Sequence, residues 1–203
     1  MRAESIVFAI AGMCFGILLG WVIGTQQATK QAVVAAPGQA AQSAQAPPTQ
    51  QRPAPVLDEG RVQALNTILT SDPKNAKATL ELANVYFDAE RWEDAIQWYQ
   101  KALVLDPKNV DASTDLGVSL YYTNKADEAL ARFEASLAID PKHTKTMLNK
   151  GIVLAFGKQN LDAASVEWRK VVELAPDAPE GQAAKRALEG VAAAHAGQSP
   201  TNQ

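Results

Sequence analysis

The fold is decided by residues 72–109, which read DPKNAKATLELANVYFDAERWEDAIQWYQKALVLDPKN. The Asp-Pro-Lys-Asn that opens this stretch also closes it 34 residues later, and Asp140-Pro141-Lys142-His143 follows after another 34. A further proline, Pro176, comes 35 residues after Pro141. Because proline cannot continue a helix, each of these points separates two helices. A fixed period of this length predicts a stack of similar structural units.

Three copies of the unit align on their prolines, at 76–109, 110–143 and 144–177. The first two superpose without a gap, and the third carries one extra residue, which we place in the turn at 158–160. Matched positions hold small residues where two helices must approach closely, and large residues where space must be filled. The small residues are Ala83, Gly117, Gly151, Ala95, Ala129 and Ala164, and the large ones are Leu82, Leu116, Tyr99, Phe133 and Trp168.

This pattern resembles the tetratricopeptide repeat, which has a small residue at its eighth position, alanine at the twentieth, an aromatic near the twenty-fourth and proline at the thirty-second. The resemblance covers about half the chain. It implies an all-α solenoid of helix-turn-helix repeats. The departure is Lys150, which stands where Leu82 and Leu116 stand in the other copies. We therefore expect the third repeat to be the loosest.

A further helix is predicted on each side of the full repeats, because the ends of a solenoid must be covered. Residues 56–75 have apolar side chains at helical spacing, with Asp58 as N-cap, and look like the second helix of a repeat whose first is absent. Residues 178–197 form the C-terminal capping helix, and residues 198–203 form a tail.

The N-terminal part of the chain has a different composition. After a short flank at 1–5, residues 6–24 read IVFAIAGMCFGILLGWVIG, which is long enough to cross a bilayer as one helix. A cleaved signal peptide is the alternative, but its apolar core is usually shorter, and no small-residue cleavage site follows. Met13 before Cys14 also argues against a lipoprotein box. We therefore favour an uncleaved single-span anchor.

Flanking charge sets the expected orientation, because Lys and Arg resist translocation. The N-terminal side has Arg2 and the α-amino group, and the other side has Lys30. This margin of one charge favours a cytoplasmic N-terminus with the repeats outside the cytoplasm, on the periplasmic side of a bacterial inner membrane. Between anchor and repeats, residues 25–55 are rich in Ala, Gln and Pro, which predicts a disordered linker.

A stripe of glycines runs along one face of the predicted anchor. Such spacing lets another membrane helix approach closely, either a second copy or a partner's span. The alternative is that small residues are simply common in membrane spans. The stripe consists of Gly12, Gly16, Gly20 and Gly24.

Composition argues against several other classes of function. One Cys and two His cannot supply a four-ligand zinc site or a disulfide, and a net charge of -3 gives no footprint for nucleic acid. No phosphate-binding glycine loop or catalytic signature is present. We therefore expect no enzymatic activity, no cofactor and no metal.

The resemblance implies a concave surface, lined by the first helix of each repeat, that binds a peptide or protein. Mixed aromatic, aliphatic and hydrogen-bonding groups suit an extended or helical peptide. The alternative is that several of these side chains only pack between repeats. The positions carried over, which we call the groove, are Lys77, Leu80, Glu81, Asn84, Phe87, Asp88, Asp111, Thr114, Asp115, Val118, Tyr121, Tyr122, Lys145, Leu148, Asn149, Ile152 and Phe156.

A clamp for the C-terminal carboxylate of chaperone tails is the specific form of groove that the sequence argues against. The clamp has five positions. Asn84 and Lys145 match two of them, and Leu80, Asp115 and Asn149 stand at the other three without matching. Asp115 would repel a carboxylate.

Two hypotheses follow. In the first, the protein is a membrane-tethered adaptor for assembly or maturation of an envelope complex, with a layout that looks like the anchored factors of cytochrome c maturation. In the second, it is a structural membrane protein that self-assembles through the glycine stripe.

Overall fold

A computed structural model describes residues 55–197, and within this range the chain is all-helical with no β-strand. The predicted anchor with its glycine stripe, the linker up to residue 54 and the tail at 198–203 lie outside the described residues. No helix of the described range is long and apolar enough to span a bilayer. The helices are α1 Glu59–Ser71, α2 Ala76–Asp88, α3 Trp92–Leu105, α4 Val110–Tyr122, α5 Ala126–Ile139, α6 Thr144–Ile152, α7 Leu161–Leu174 and α8 Pro179–Gly197.

The repeated tetrapeptide explains how the first helix of a repeat begins. Proline stops the preceding helix, and the asparagine that follows caps the next one. Asn75 Oδ1 accepts a hydrogen bond from the backbone N–H of Ala78 at 2.9 Å, and Asn109 does the same for Ala112 at 2.9 Å. Asp58 caps α1 as predicted, accepting from the N–H of Arg61 at 2.9 Å.

Helices pack in the order of the chain, with α2 on α3, α4 on α5, α6 on α7, and α8 on α7. The small residues permit the close contacts that the sequence pattern predicts. A Cβ at Gly117 would overlap the ring of Phe133, and a Cβ at Gly151 would overlap Trp168. Phe133 and Trp168 are themselves almost fully buried, so neither ring can move aside.

The extra residue of the third repeat is not in the turn where the sequence placed it. The turn keeps its form, since Gln159 has φ 54°, close to 55° at Glu90 and 63° at Asn124 in the other repeats. The addition is taken up by a π-helical segment, Val153–Gly157, that ends the first helix of the repeat. There the N–H of Lys158 donates to the carbonyl of Val153, five residues back, at 3.0 Å.

The gap expected around Lys150 is also not found. Its ammonium lies 2.6 Å from Glu134 of α5 and 3.0 Å from Glu167 of α7, and 14% of its side chain is exposed. Burial alone would lower the pKa of Lys150, but the hydrogen bonds to these two carboxylates raise it. The expectation of a loose third repeat was therefore wrong at this position, because an ion-pair network takes the place of the aliphatic side chain.

Candidate peptide-binding groove

The groove residues come from α2, α4 and α6, which the packing places side by side: α2 contacts α4, and α4 contacts α6. Equivalent positions of the three repeats therefore form rows across the helices. One row consists of Asn84, Val118 and Ile152, each at the ninth position of its repeat. The row changes from an exposed amide to half-buried aliphatic side chains.

The α2 side of the groove carries paired and unpaired surface charges. Glu81 accepts a hydrogen bond from the guanidinium of Arg61, on α1, at 2.6 Å. That bond lowers the pKa of Glu81 and raises the pKa of Arg61. Lys77 and Asp88, which lie on either side of Glu81 along α2, are exposed to solvent.

The middle helix of the groove, α4, carries two carboxylates, Asp111 and Asp115. The hydroxyl of buried Tyr99 donates to Asn84 Oδ1 at 2.8 Å, and Asp115 pairs with Lys145 at 2.8 Å. Burial raises the pKa of Asp115 although Lys145 opposes the shift, and Asp111 and Asp88 raise it further. Burial also raises the pKa of Tyr99, to which the same three carboxylates contribute.

Among the predicted groove residues, only Thr114 is buried and so does not line the surface. Its side chain is fully buried, and its hydroxyl lies 2.6 Å from that of Thr146, so it joins α4 to α6. Thr146 in turn contacts His143 Nδ1 at 2.7 Å, and His143 Nε2 lies 3.4 Å from Asp111. This Asp-His-Thr order resembles that of a catalytic relay, but Thr146 is 0% exposed and its hydroxyl cannot reach a substrate.

Aromatic side chains cluster at the C-terminal ends of α2 and α4. Tyr122 stacks on Trp92 with the ring centroids 4.4 Å apart and an interplanar angle of 9°, and Trp92 meets Phe87 edge-on at 5.3 Å. Tyr121 lies 5.6 Å from Tyr122. Burial raises the pKa of Tyr122 to about 12. Trp92 is not among the predicted groove residues. It begins α3 directly after the turn, and its signal in the sequence is an aromatic residue at the start of a second helix, one repeat before the aromatic Tyr122.

The apolar groove residues are half-buried against the core beneath them. Leu80, Phe87, Val118 and Tyr121 pack on the cluster around Leu116, and Leu148, Ile152 and Phe156 pack on the cluster around Trp168. Asn149 donates from Nδ2 to the carbonyl of Lys145 at 2.8 Å. Partial exposure of these side chains fits both packing and partner contact, so their role as a binding site stays a prediction.

The contacts also bear on the carboxylate clamp. The two residues that match it are both engaged within the chain, Lys145 with Asp115 and Asn84 with Tyr99. In the described range, no group of three His, Cys, Asp or Glu side chains is placed to hold a metal ion.

Comparison with known proteins identifies the repeat. A family model described as TPR repeat matches residues 83–123, and one described as tetratricopeptide repeat matches residues 114–179. A search of curated proteins finds no match.

Solved structures give the same result for the fold. The crystal structure of MamA has a TM-score of 0.56 at 21% identity, covering 68% of this chain and 91% of that one. The first TPR of Spaghetti (RPAP3) bound to the HSP90 peptide SRMEEVD has a TM-score of 0.53 at 25% identity, covering 61% and 96%. The first TPR domain of human RPAP3 has a TM-score of 0.52 at 24% identity, covering 61% and 98%. None of these matches supports the expected likeness to cytochrome c maturation factors.

Proposed function

Because the described part of the chain is a tetratricopeptide-repeat domain, we propose that the protein is a membrane-tethered adaptor whose groove binds a peptide or protein partner. Domains of this family generally act as binding scaffolds and are typically not enzymes. The RPAP3 domain, which has the same fold, was solved with a peptide bound. The partner of this chain is expected outside the cytoplasm, where a tethered groove would serve the assembly of an envelope complex.

The observation that carries the proposal is the mixed apolar and polar surface of the first helices of the repeats. Half-buried apolar side chains alternate with hydrogen-bonding groups along α2, α4 and α6, as in Leu80, Val118 and Ile152 beside Asn84 and Asn149. Interfaces combine such an apolar centre with polar groups that fix the register of the partner. The tethering of the domain to a membrane is supported only by the sequence, through the predicted anchor and linker.

Site-specific crosslinking tests the proposal. A photoreactive phenylalanine derivative replaces Leu80, in the groove, or Val166, which is 46% exposed on the second helix of the third repeat. After irradiation of native membranes, we expect the Leu80 derivative to yield a discrete crosslinked protein and the matched Val166 derivative to yield none. The same protein crosslinked equally from both positions, or from Val166 alone, would rule out the groove as the binding surface.

The self-assembly hypothesis rests on glycines that lie outside the described residues. The double substitution Gly16→Leu and Gly20→Leu separates it from the adaptor hypothesis, because leucine prevents close approach of two membrane helices. The adaptor hypothesis predicts that the Leu80 crosslink survives in this variant. Loss of both oligomer and function, with groove substitutions at Tyr121 or Asn84 having no effect, would favour self-assembly.

A further inference from the structure

The third repeat departs from the others at the residue that precedes its first helix. Asn75 and Asn109 cap α2 and α4 by accepting from a backbone N–H at 2.9 Å, whereas His143, at the same place before α6, makes no such bond. Its Nδ1 lies instead 2.7 Å from the hydroxyl of Thr146. An alanine occupies the place of Thr146 in the first two repeats. The histidine and the threonine that it contacts are therefore both particular to the third repeat.

His143 and Thr146 belong to a chain of four contacts that joins α6 to α4. The hydroxyl of Thr146 lies 2.6 Å from that of Thr114, which donates to the carbonyl of Val110 at 2.8 Å. At the other end, Nε2 of His143 lies 3.4 Å from the carboxylate of Asp111. Both threonines are 0% exposed, so water does not reach their hydroxyls, whereas 20% of the histidine side chain and 71% of the Asp111 side chain are exposed.

The two ends of this chain can only accept hydrogen bonds. A backbone carbonyl and an ionised carboxylate carry no proton, so each of the four contacts needs a proton from the groups between the ends. Each threonine hydroxyl supplies one proton and a neutral imidazole supplies one, which makes three. Only the charged ring, with a proton on both nitrogens, brings the number to four.

The neutral ring must leave one contact without a proton. If its proton is on Nδ1, the contacts made by the two threonines stay complete and the lone pair of Nε2 faces Asp111. If its proton is on Nε2, both hydroxyls must turn toward the ring, and Thr114 no longer donates to Val110. Because water reaches Nε2 but not the threonines, the first loss costs less. The neutral ring therefore keeps its proton on Nδ1, and the contact that opens is the one with Asp111.

We infer that protonation of His143 strengthens the junction between the second and third repeats, because the charged ring completes the chain of contacts from α6 to α4. An imidazole changes its charge between about pH 5 and pH 8. The added stability is therefore present at the acidic end of this range and is lost as pH rises through it. This effect holds whatever the groove binds, so it goes beyond the proposed function.

Other charged groups near the ring act in both directions. On α4, Asp111 favours the charged ring, and Asp115 is paired with Lys145 at 2.8 Å. On α6, Lys145 also lies 3.9 Å from Asp111 and so weakens its attraction for the ring. In the turn before α6, the carboxylate of Asp140 favours the charged ring and Lys142 opposes it. Because Asp111 is mostly exposed, the net effect has the size of a surface ion pair.

NMR of the full chain in detergent micelles, with isotope-labelled histidine, tests the proton count. The chain has two histidines, and His195, exposed on α8, is the internal reference. Nitrogen chemical shifts show which ring nitrogen carries a proton. We expect His143 to carry protons on both nitrogens at about pH 5 and on Nδ1 alone at about pH 8. A neutral ring with its proton on Nε2 would overturn the inference.

Urea unfolding at the same two pH values measures the effect on stability. The parent is compared with His143→Asn, which restores the capping residue of the other repeats and is therefore expected to fold. Between about pH 8 and pH 5, the folding equilibrium constant of the parent should rise about threefold relative to that of His143→Asn. The matched control His195→Asn removes the other histidine and should behave as the parent does. An equal pH dependence in the parent and His143→Asn would overturn the inference.

Asp111→Asn shows whether the chain itself causes the pH dependence. The amide of asparagine can donate to Nε2, so the neutral ring then completes the chain and a second proton brings no gain. In this background, replacing His143 by asparagine should leave the pH dependence of unfolding unchanged. A threefold difference that persisted without the carboxylate would mean that His143 acts through other contacts, and would overturn the assigned chain.

Discussion

The second and third repeats solve the same packing problem in different ways. At the seventh position, the second repeat buries Leu116, which is 1% exposed, and the third holds Lys150 with 14% of its side chain exposed. The two carboxylates around Lys150 are Glu134 and Glu167. A cation in this layer is tolerated because neighbouring helices supply partners for it.

The other repeats hold no carboxylate at the corresponding places. By alignment, Gln100 and Arg132 stand around Leu116 where Glu134 and Glu167 stand around Lys150. Around Leu82, in the first repeat, the equivalent residues are Asn66 and Trp98. The lysine and its two glutamates thus occur together around one position, and none of the three is found at the equivalent places around Leu82 or Leu116, as expected if they form one network.

Placing a lysine in the second repeat breaks this comparison most strongly. Leu116→Lys buries an ammonium group between Gln100 and Arg132, with no carboxylate at either place. We expect a loss of about 4 kcal/mol or more in the free energy of unfolding. Urea unfolding of the full chain in micelles, followed by circular dichroism, measures it.

The control for this substitution is Leu116→Met, which keeps the volume and should cost less than about 1.5 kcal/mol. If Leu116→Lys were no worse than Leu116→Met, the two carboxylates around Lys150 would not be needed to hold a lysine.

Removing Lys150 should cost less, and the loss should be recoverable. Lys150→Leu leaves Glu167 buried with Lys170, at 3.2 Å, as its remaining cation, and we expect a loss of about 1–3 kcal/mol. Adding Glu167→Met should bring stability back to within about 1 kcal/mol of the parent, because an apolar pair then fills the site. A double-mutant cycle measures the coupling, and simple additivity of the two changes would contradict the network.

The pH dependence of the same network has a definite sign. The raised pKa of Lys150 means that its stabilising contribution is present at neutral pH and is lost as pH rises through its folded pKa, above the ordinary 10.5. Lys150→Leu with Glu167→Met should therefore lose less stability than the parent between neutral and strongly alkaline pH. Thermal unfolding of the parent and of the double variant, measured at several pH values across that range, checks this difference.

The π-helical segment gives a second way to compare the repeats. Deleting Lys158 restores the spacing of the second repeat, so α6 can end as an α-helix, and we expect a change within about 1 kcal/mol. Deleting Thr123 shortens the turn of the second repeat, which has no extra residue. We expect this deletion to lower the free energy of unfolding by more than about 2 kcal/mol. Hydrogen exchange should slow at Val153–Gly157 in the first deletion. Equal losses in both would show that the π segment is not a tolerated insertion.

The smallest expected effect is at Asp115. Burial raises the pKa of Asp115, so the folded state disfavours its charged form. The contribution of this one group to stability is therefore most favourable below its ordinary pKa of 3.8 and falls as pH rises from there through the folded pKa. Asp115→Asn stays neutral and should match or slightly exceed the stability of the parent at pH 7, by less than about 1 kcal/mol. The difference should shrink toward pH 4. A clear destabilisation at pH 7 would mean that the ion pair with Lys145 outweighs burial.

Much of the fold was predictable because the residues that end helices and those that allow close helix packing recur at the same positions in every repeat. The Asp-Pro-Lys-Asn tetrapeptide set the helix boundaries, and small residues such as Gly117 and Gly151 set where helices approach. The all-α repeat fold is confirmed for the described residues. The π-helical segment was not predictable in this way, because spacing shows that one residue is extra but not which part of the backbone takes it up.

Side-chain environments were harder to predict than helices. Lys150 was taken for a packing defect because its partners lie on other helices, 16 and 17 residues away in sequence. Thr114 was placed in the groove by its position in the repeat, yet a hydrogen bond to Thr146 draws it into the interface between helices. Comparing each position across repeats together with its spatial neighbours would have found the lysine network from sequence.

Hydrogen exchange of the full chain, with and without the partner captured from native membranes, tests the central claim most directly. If the groove is the binding surface, the partner should slow exchange along α2, α4 and α6, including the segments around Asp88 and Asp115, and leave α3, α5 and α7 unchanged. Slower exchange confined to the second helices would contradict it.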